Sequence, residues 1–270
     1  MHTFELIRSA SLADAARQLT NAADARLIAG GQTLVPSMKH GLAQPTHLVD
    51  LARLPGLRGI RIEAGKVTKV TIGAMTPHAQ VAESADVRKA IPALADLAVG
   101  IGDRMVRNLG TIGGSLANND PAADYPAAVL GLGATVVTDQ RRIAADDFFT
   151  GMFSTALDTG EIIVEVEFPV PQCAGYAKFR NPASRYATTG VFVARTAQAV
   201  RVAVTGAAAC VFRFAAMEVA LAKSFAADSA NNVALPPDGL ISDIHASADY
   251  RANLATVMAA RAVESALASS

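Results

Sequence analysis

Two short glycine-rich stretches carry the residues best suited to hold a charged ligand. The first glycine motif is AGGQT at residues 29–33, and the second glycine motif is TIGGS at residues 111–115, about 80 residues later. Glycine accepts positive φ and lets a ligand approach the backbone, so consecutive N–H groups can converge on an anion such as phosphate. The hydroxyl of a nearby Thr or Ser adds a donor. Alone, each motif is more typical of an ordinary tight turn; together they could hold both phosphates of a dinucleotide.

The usual motifs of other nucleotide sites are absent from the sequence. GIGDRM and GLGATV match only the first half of the G-x-G-x-x-G fingerprint, and there is no Walker A lysine. The five histidines show no metal-ligand spacing, and no Ser–His–Asp order stands out. We therefore predict neither a metal site nor a catalytic residue in this chain.

The composition describes a chain with balanced charge. Its 270 residues include 24 basic and 24 acidic side chains, so no global charge favours nucleic acid or an anionic membrane. No apolar run reaches the roughly 18 residues of a membrane span, and the N-terminus lacks the pattern of a secretory signal. Cys173 and Cys210 are the only cysteines. They suggest a reducing cytoplasm and are too few for an iron–sulfur cluster built by this chain alone.

Mixed strand and helix patterns predict the α+β class rather than a regular alternation. Strands are expected within residues 25–31, 66–74, 161–171 and 199–209, with Val200, Val202 and Val204 on one face of the last. Helices are expected within residues 11–19, 82–101, 213–225 and 247–267, and a short helix followed by a strand within 124–139. Ser11 and Ser247 are the predicted N-caps, Pro92 should interrupt the second helical stretch, and residues 226–239 are expected to form a loop.

Longer segments around the two motifs resemble a known family. AGGQTLVPSMKHGLAQPTHLVDL, VRNLGTIGGSLANNDPAADYPAAVLGLGA and FFTGMFSTALDTGEIIVEVEFP are similar to the FAD-binding medium subunit of molybdenum hydroxylases. These enzymes include aerobic carbon monoxide dehydrogenase and bacterial enzymes of the xanthine dehydrogenase type. YAKFRNPASRYATTGVFVA and DIHASADYRANLATVMAARAV resemble the C-terminal domain of the same subunits. The resemblance covers nearly the whole chain.

The resemblance implies two domains. Residues 1–171 would form a two-lobed FAD-binding domain of the PCMH type, which is shared with vanillyl-alcohol oxidase, and its lobes would meet near residues 54–60. Residues 172–270 would form a small α/β C-terminal domain. The expected fold is therefore α+β, and FAD is the cofactor expected in this chain.

The two glycine motifs supply most of the FAD-binding positions that the resemblance implies. The first would wrap the pyrophosphate and the second would form a further phosphate and ribityl loop. These positions are Ala29, Gly30, Gly31, Gln32, Thr33, Thr111, Ile112, Gly113, Gly114 and Ser115.

Further cofactor positions follow from the same resemblance. Asp124 would bind hydroxyl groups at the adenosine or ribityl end, and Ile163 would contact the flavin. Lys178 would lie near the flavin ring, with Arg180 as an equal alternative, and Tyr186 would lie beside the isoalloxazine.

Three residue groups near the motifs have competing interpretations. Asp120 and Asp124 could form a carboxylate pair for acid–base chemistry, but Asp120 is better interpreted as a helix N-cap with Asp124 in the first turn. His78 could line the flavin pocket, although a hydrogen-bonding role at the surface is favoured. Arg104 and Arg107 could assist phosphate binding or could be solvated charges at a helix end.

The family resemblance implies an electron-transfer subunit in a larger complex. A large partner chain would carry the molybdopterin cofactor, and a small partner chain would carry two [2Fe–2S] clusters. The assembly would be a dimer of heterotrimers, in the cytoplasm or at the periphery of the inner membrane through its partners. Arg185 and Tyr186 differ from the acidic–aromatic pair of the carbon monoxide enzyme, which argues against that substrate. The alternatives are a stand-alone FAD-dependent oxidoreductase and a non-catalytic nucleotide-binding module.

Overall fold

A three-stranded parallel sheet opens the chain in the computed structural model, which describes residues 2–63 and 68–269. Its strands lie in the order β1 (Glu5–Arg8), β3 (His47–Asp50) and β2 (Ala25–Ile28). Helix α1 (Leu12–Asn21) joins β1 to β2, and the predicted cap is confirmed because Ser11 Oγ accepts a hydrogen bond from the Asp14 amide at 3.1 Å. Helix α2 (Leu34–Lys39) follows the first glycine motif.

A five-stranded antiparallel sheet forms the second lobe. Its strands lie in the order β4 (Ile60–Glu63), β5 (Lys69–Gly73), β10 (Ile163–Pro169), β6 (Thr135–Thr138) and β7 (Arg142–Ala144). The strand expected within residues 66–74 is present at Lys69–Gly73, and residues 66 and 67 lie outside the described part. Valine and isoleucine side chains on β5, β6 and β10 are buried at this sheet.

Short helices lie in the chain between β5 and β10 of this sheet. They are α3 (His78–Glu83), α4 (Ala85–Ala90), α5 (Pro92–Val99), α6 (Arg104–Leu109), α7 (Ile112–Asn118), α8 (Tyr125–Leu132) and α9 (Ala145–Phe148). Pro92 is the first residue of α5, where its missing N–H costs no helical hydrogen bond, so the predicted break is confirmed. A small hairpin of β8 (Phe149–Gly151) and β9 (Ser154–Thr155) follows α9.

The C-terminal part is an antiparallel sheet covered by helices. Strands β11 (Cys173–Arg180), β12 (Ala187–Arg195), β13 (Val200–Thr205) and β14 (Phe212–Arg213) pair in chain order. They are followed by α10 (Ala215–Lys223), α11 (Ala227–Asn231) and α12 (Ala248–Ala268), whose cap Ser247 is confirmed. The expected loop at residues 226–239 is wrong in part, because α11 lies within it.

The C-terminal sheet is buried on both faces. Val191, Val193, Val202 and Val204 pack in one core with α12, as the alternation predicts for β13. Phe192, Ala194 and Ala203 point to the opposite face and join the core of the second lobe. The α+β class is confirmed. The domain division at residues 171 and 172 stays a prediction, although the chain does pass there from β10 to β11.

A substitution at Gly175 tests how closely this sheet packs against α12. A Cβ at this position would lie 1.9 Å from the Ala262 carbonyl oxygen, which belongs to helix backbone and cannot rotate away. We expect Gly175→Ala to lower the free energy of unfolding by about 3 kcal/mol, in the range of overpacked cores. Thermal denaturation measures the effect. Gly151→Ala is the matched control, since its Cβ would meet only Ser154 Cβ at 3.9 Å; equal melting temperatures for both variants would contradict the close packing.

Candidate functional site

A cavity of about 620 Å³ lies between the N-terminal sheet, the helices of the second lobe and the segment after β11. That volume is typical of a cofactor site. Most of the residues predicted to bind FAD line it. They are Ala29, Gly30, Gly31, Gln32, Thr33, Thr111, Gly113, Gly114, Ser115, Asp124, Ile163 and Tyr186. Ile112, Lys178 and Arg180 are not among the lining residues.

The first glycine motif offers free backbone donors to this cavity. Gly31 has φ +69°, a conformation that favours glycine. Within residues 2–63 and 68–269, the amides of residues 30–33 donate no hydrogen bond to another protein group. Four successive unpaired N–H groups beside a cavity are suited to an anionic ligand. That this motif wraps a pyrophosphate stays a prediction.

The second glycine motif is different from the sequence expectation. It is the start of α7, with Thr111 as N-cap, and not an open loop. The amides of residues 112–115 are already paired: Ile112 and Gly113 donate to the carbonyl groups of Thr76 and Ala74 at 3.2 and 2.9 Å. The amides of Gly114 and Ser115 donate to the Oγ1 and the carbonyl of Thr111 at 3.2 and 3.0 Å, respectively. The second motif therefore offers mainly shape and hydroxyl groups to the cavity, and its role as a phosphate and ribityl loop stays a prediction.

Gly114 keeps open the gap between the two motifs. A Cβ at this position would lie 3.0 Å from Thr111 Oγ1 and 3.8 Å from Ala29 Cβ. Its φ is not positive, so the residue is needed for space and not for an unusual backbone conformation. Any larger side chain here would enter the space between the motifs.

Asp124 is a buried carboxylate at the cavity wall. It occupies the N-cap position of α8 but makes no capping hydrogen bond with its side chain. The expectation that Asp120 caps this helix is wrong, because Asp120 Oδ1 accepts a hydrogen bond from the Ala122 amide at 2.9 Å and closes its own turn. The Asp124 carboxylate accepts hydrogen bonds from the Tyr176 hydroxyl and, at 2.9 Å, from Lys178 Nζ. Burial raises the pKa of Asp124, and the adjacent ammonium opposes that rise.

Lys178 lies behind Asp124. Its side chain is 4% exposed, and its ammonium donates to Asp124 Oδ2 and to the Gly100 carbonyl at 2.9 and 3.0 Å. A direct contact of Lys178 with a ligand in the cavity therefore does not follow from this arrangement. Arg180, the alternative from the sequence, lies on the exposed end of β11 with its guanidinium near Gly100.

Tyr186 and Ile163 line the cavity from two different elements. Tyr186 is 43% exposed and ends a turn closed by the hydrogen bond from the Asn181 amide to the Tyr186 carbonyl at 2.9 Å. Arg185 in this turn has φ +64° and donates to the Gly102 carbonyl at 3.3 Å. Ile163 is 5% exposed at the start of β10. An aromatic and an aliphatic side chain in one cavity suit a planar ring.

His78 is a cavity residue that the sequence interpretation placed at the surface. It is 5% exposed, and its Nδ1 is buried without a hydrogen-bond partner in the described structure. Burial lowers the pKa of His78 to about 4, and the charge of Arg107 acts in the same direction. Its amide donates to the Gly110 carbonyl at 2.9 Å, and its ring lies 5.3 Å from that of Tyr125. No local sequence pattern indicates this position, because the burial comes from a contact with residues far along the chain.

Glu161 is a second cavity residue that the sequence did not indicate. It is 4% exposed, and its carboxylate accepts hydrogen bonds from Arg141 at 2.9 Å and from Thr138 at 2.6 Å. These donors lower the pKa of Glu161 to about 2. The side chain is therefore a fixed negative charge at neutral pH.

Arg107, which could have assisted phosphate binding, instead binds the backbone of residues 101 and 102. Its guanidinium donates to the carbonyl groups of Ile101 and Gly102 at 2.8 and 3.2 Å.

In the described residues, no cluster of three or more His, Cys, Asp or Glu side chains is placed to hold a metal ion. Over the same residues, the helices include none with the length and apolar character of a membrane span.

Comparison with known proteins decides the family. The family described as the FAD binding domain in molybdopterin dehydrogenase matches residues 2–171. The chain belongs to this family. It is 37% identical over 265 residues to the carbon monoxide dehydrogenase medium chain of Hydrogenophaga pseudoflava, and the matched region covers 91% of this chain and 90% of that one. It is also 37% identical over 268 residues to the nicotine 6-hydroxylase medium subunit of Paenarthrobacter nicotinovorans, with 94% of each chain covered.

A solved structure gives the same result for the fold. A chain of carbon monoxide dehydrogenase from H. pseudoflava, in a form that lacks the Mo-pyranopterin moiety of the molybdenum cofactor, superposes with a TM-score of 0.86. The identity is 36%, over 98% of both chains. These findings confirm the predicted family, its α+β fold and the assignment to oxidoreductase subunits.

The cavity of this FAD-binding domain fits the diphosphate part of its cofactor. The four unpaired amides of residues 30–33 supply donors without a partner, and the gap at Gly114 would be filled by any Cβ-branched side chain. Backbone N–H groups bind phosphate oxygens in many nucleotide sites. The donor set and the space therefore agree with the family.

His78 makes the stability of the flavin-free chain depend on pH. The pKa of His78 is 6.5 in the unfolded chain and about 4 in the folded chain. Between these pH values the unfolded chain binds one more proton at His78 than the folded chain, so the free energy of unfolding declines as the pH falls. We expect the wild-type chain to lose about 3 kcal/mol more than His78→Gln between pH 7 and pH 4. Urea unfolding at a series of pH values measures this difference. His40→Gln, at an exposed position, is the control, and parallel stability curves for wild type and His78→Gln would contradict the buried neutral imidazole.

Proposed function

We propose that this chain is the FAD-binding electron-transfer subunit of a heteromeric molybdenum hydroxylase. The observation that carries the proposal is the row of four unpaired amides at residues 30–33, beside a cavity bounded on its other side by the second glycine motif. A neutral, apolar ligand would leave these amides without partners, which is unfavourable in a partly closed site. A pyrophosphate would satisfy them.

The lining residues suggest how FAD would lie in the cavity. The pyrophosphate would bind at the first glycine motif, and the hydroxyl groups of Thr111 and Ser115 would face the second phosphate or the ribityl chain. Asp124 would accept hydrogen bonds from hydroxyl groups of the cofactor, and the flavin ring would lie near Ile163 and Tyr186. FAD supplies the one- and two-electron chemistry when bound, while the protein supplies binding, orientation and electrostatics.

Two partner chains complete the proposed enzyme. The relatives named above are called a medium chain and a medium subunit, which supports a larger and a smaller partner chain. The large chain would carry the molybdopterin cofactor, and the small chain would carry two [2Fe–2S] clusters. Electrons from the substrate would pass through the clusters to FAD in this chain and then to an external acceptor. We expect a dimer of heterotrimers in the cytoplasm or at the inner membrane through its partners.

The substrate of the complex is expected to depend on the large chain. The relatives are equally identical to this chain, yet one is named for carbon monoxide and the other for nicotine. A subunit that serves such different substrates with the same fold is suited to transfer electrons and not to recognise the substrate. The proposal therefore assigns to this chain the cofactor and the acceptor side of the reaction.

Co-expression tests the assembly. We expect affinity purification through this chain, when it is produced with the large and small chains encoded beside it, to recover all three chains and a yellow preparation that bleaches on reduction by substrate. Each alternative gives a different result. Recovery of this chain alone with full dehydrogenase activity would favour a stand-alone flavoenzyme, and a colourless chain that binds nucleotides would favour a non-catalytic module.

Gly114→Val tests the position of the cofactor. The branched side chain would occupy the gap between Thr111 and Ala29, so we expect FAD content to fall at least about tenfold, as for the loss of roughly 1.4 kcal/mol of binding free energy. Flavin released by acid precipitation is measured by absorbance. Gly114→Ala is the matched control, with a smaller expected loss. Circular dichroism verifies that both variants are folded, and normal FAD content in the folded Val variant would contradict the placement.

A further inference from the structure

The C-terminal sheet holds the segment that carries Asp124. Thr205 Oγ1 lies 3.1 and 2.7 Å from the carbonyl oxygens of Pro121 and Ala123, which share its one proton. The Gly206 amide donates to the Pro121 carbonyl at 2.8 Å, and the Ala187 amide donates to the Ala122 carbonyl at 3.3 Å. Residues 121–124 form part of the cavity wall through Ala123 and Asp124. The position of this wall is therefore set by strands of the C-terminal sheet.

The same sheet fixes the Asp124 side chain. Strand β11 places the Tyr176 hydroxyl on Oδ1 and the Lys178 ammonium on Oδ2. The side chains of Asp124 and Lys178 are each 4% exposed, and each oxygen of the carboxylate has one donor. A carboxylate oxygen has further lone pairs, so Asp124 can still accept from a ligand while both donors hold its orientation.

Tyr176 packs its ring against the core of the second lobe, 6.1 Å from the ring of Phe192, and its hydroxyl donates to Asp124. Its hydroxyl lies in a buried environment that raises its own pKa well above the ordinary value, so it stays a neutral donor. It is not among the residues that line the cavity. The hydroxyl therefore acts on the cavity only through Asp124.

We propose that Tyr176 is a positioning residue of the FAD site, which together with Lys178 orients the Asp124 carboxylate and so sets the affinity of the cavity for the cofactor from strand β11. The proposal rests on the proposed function, because it assumes that FAD occupies the cavity. It also gives Lys178 an indirect role, through Asp124, in place of the direct contact with the flavin ring that the sequence suggested.

The charge of Asp124 provides a readout that a purely structural role would not change. Burial favours its neutral form, while Lys178 and the Tyr176 hydroxyl favour the carboxylate. Removal of the Tyr176 hydroxyl leaves the burial and removes one of these donors, so Asp124 is protonated at a higher pH than in the wild type. The ionisable groups that face Asp124 from the surrounding elements are Tyr176, Lys178 and Arg180 of β11, Tyr125 of α8 and Tyr186.

Tyr176→Phe in the full-length chain is the test. We expect FAD to bind about tenfold more weakly at neutral pH, as for a lost hydrogen bond to a charged group. We also expect the loss of affinity on acidification, the acid limb of the pH profile, to begin at a higher pH than in the wild type. Flavin fluorescence during titration of the flavin-free chain measures both. Tyr250→Phe is the matched control, because Tyr250 is 43% exposed on α12 and does not line the cavity; it should leave both unchanged.

A double-mutant cycle with Asp124→Asn separates the possible outcomes. If Tyr176 acts through Asp124, Tyr176→Phe should have almost no further effect in the Asp124→Asn background. Additive losses, or a Tyr176→Phe chain that binds more weakly but keeps the wild-type acid limb, would overturn the positioning role. The pH profile of the single variant decides the matter even if Asp124→Asn binds too weakly to measure. Absence of FAD binding by the wild-type chain would overturn the proposed function itself.

Discussion

The contact between the backbone of Gly30 and the backbone of residues 109–110 determines how the two lobes meet. A Cβ at Gly30 would lie 2.0 Å from the Leu109 carbonyl oxygen and 2.8 Å from Gly110 Cα. No side chain fits there, so the first glycine motif approaches the segment just before the second motif with no atoms between them. The cavity depends on this contact, since it brings residues about 80 positions apart to opposite sides of one space.

The two motifs look alike in sequence but have different tasks in the structure. The first leaves its amides free, whereas the second uses its amides to anchor α7 to the carbonyl groups of Ala74 and Thr76. Gly113 permits that anchoring, because a Cβ there would lie 2.6 Å from Ala74 Cβ. One side of the cavity thus supplies donors, and the other supplies a rigid surface that keeps the space open.

The features that the sequence predicted well are local ones. The caps Ser11 and Ser247, the interruption at Pro92 and the alternation of β13 each depend on residues within a few positions of one another. The site could be predicted only as a set of positions. The hydroxyl of Tyr176 meets Asp124 across 52 residues of sequence, and the burial of His78 depends on its contact with Gly110. Such pairs follow from the tertiary arrangement, which a pattern along the chain does not encode locally.

One face of the C-terminal sheet packs into the core of the second lobe, and this affects how the protein folds during synthesis. Translation runs from the N-terminus, yet Phe192, Ala194 and Ala203 belong to the core of the second lobe. The nascent FAD-binding domain therefore exposes apolar surface of that core until β12 and β13 have left the ribosome. Thr205 and Gly206 also secure the cavity wall at residues 121–124. Completion of the cofactor cavity thus falls late in synthesis, after the sequence of the FAD-binding domain has already emerged.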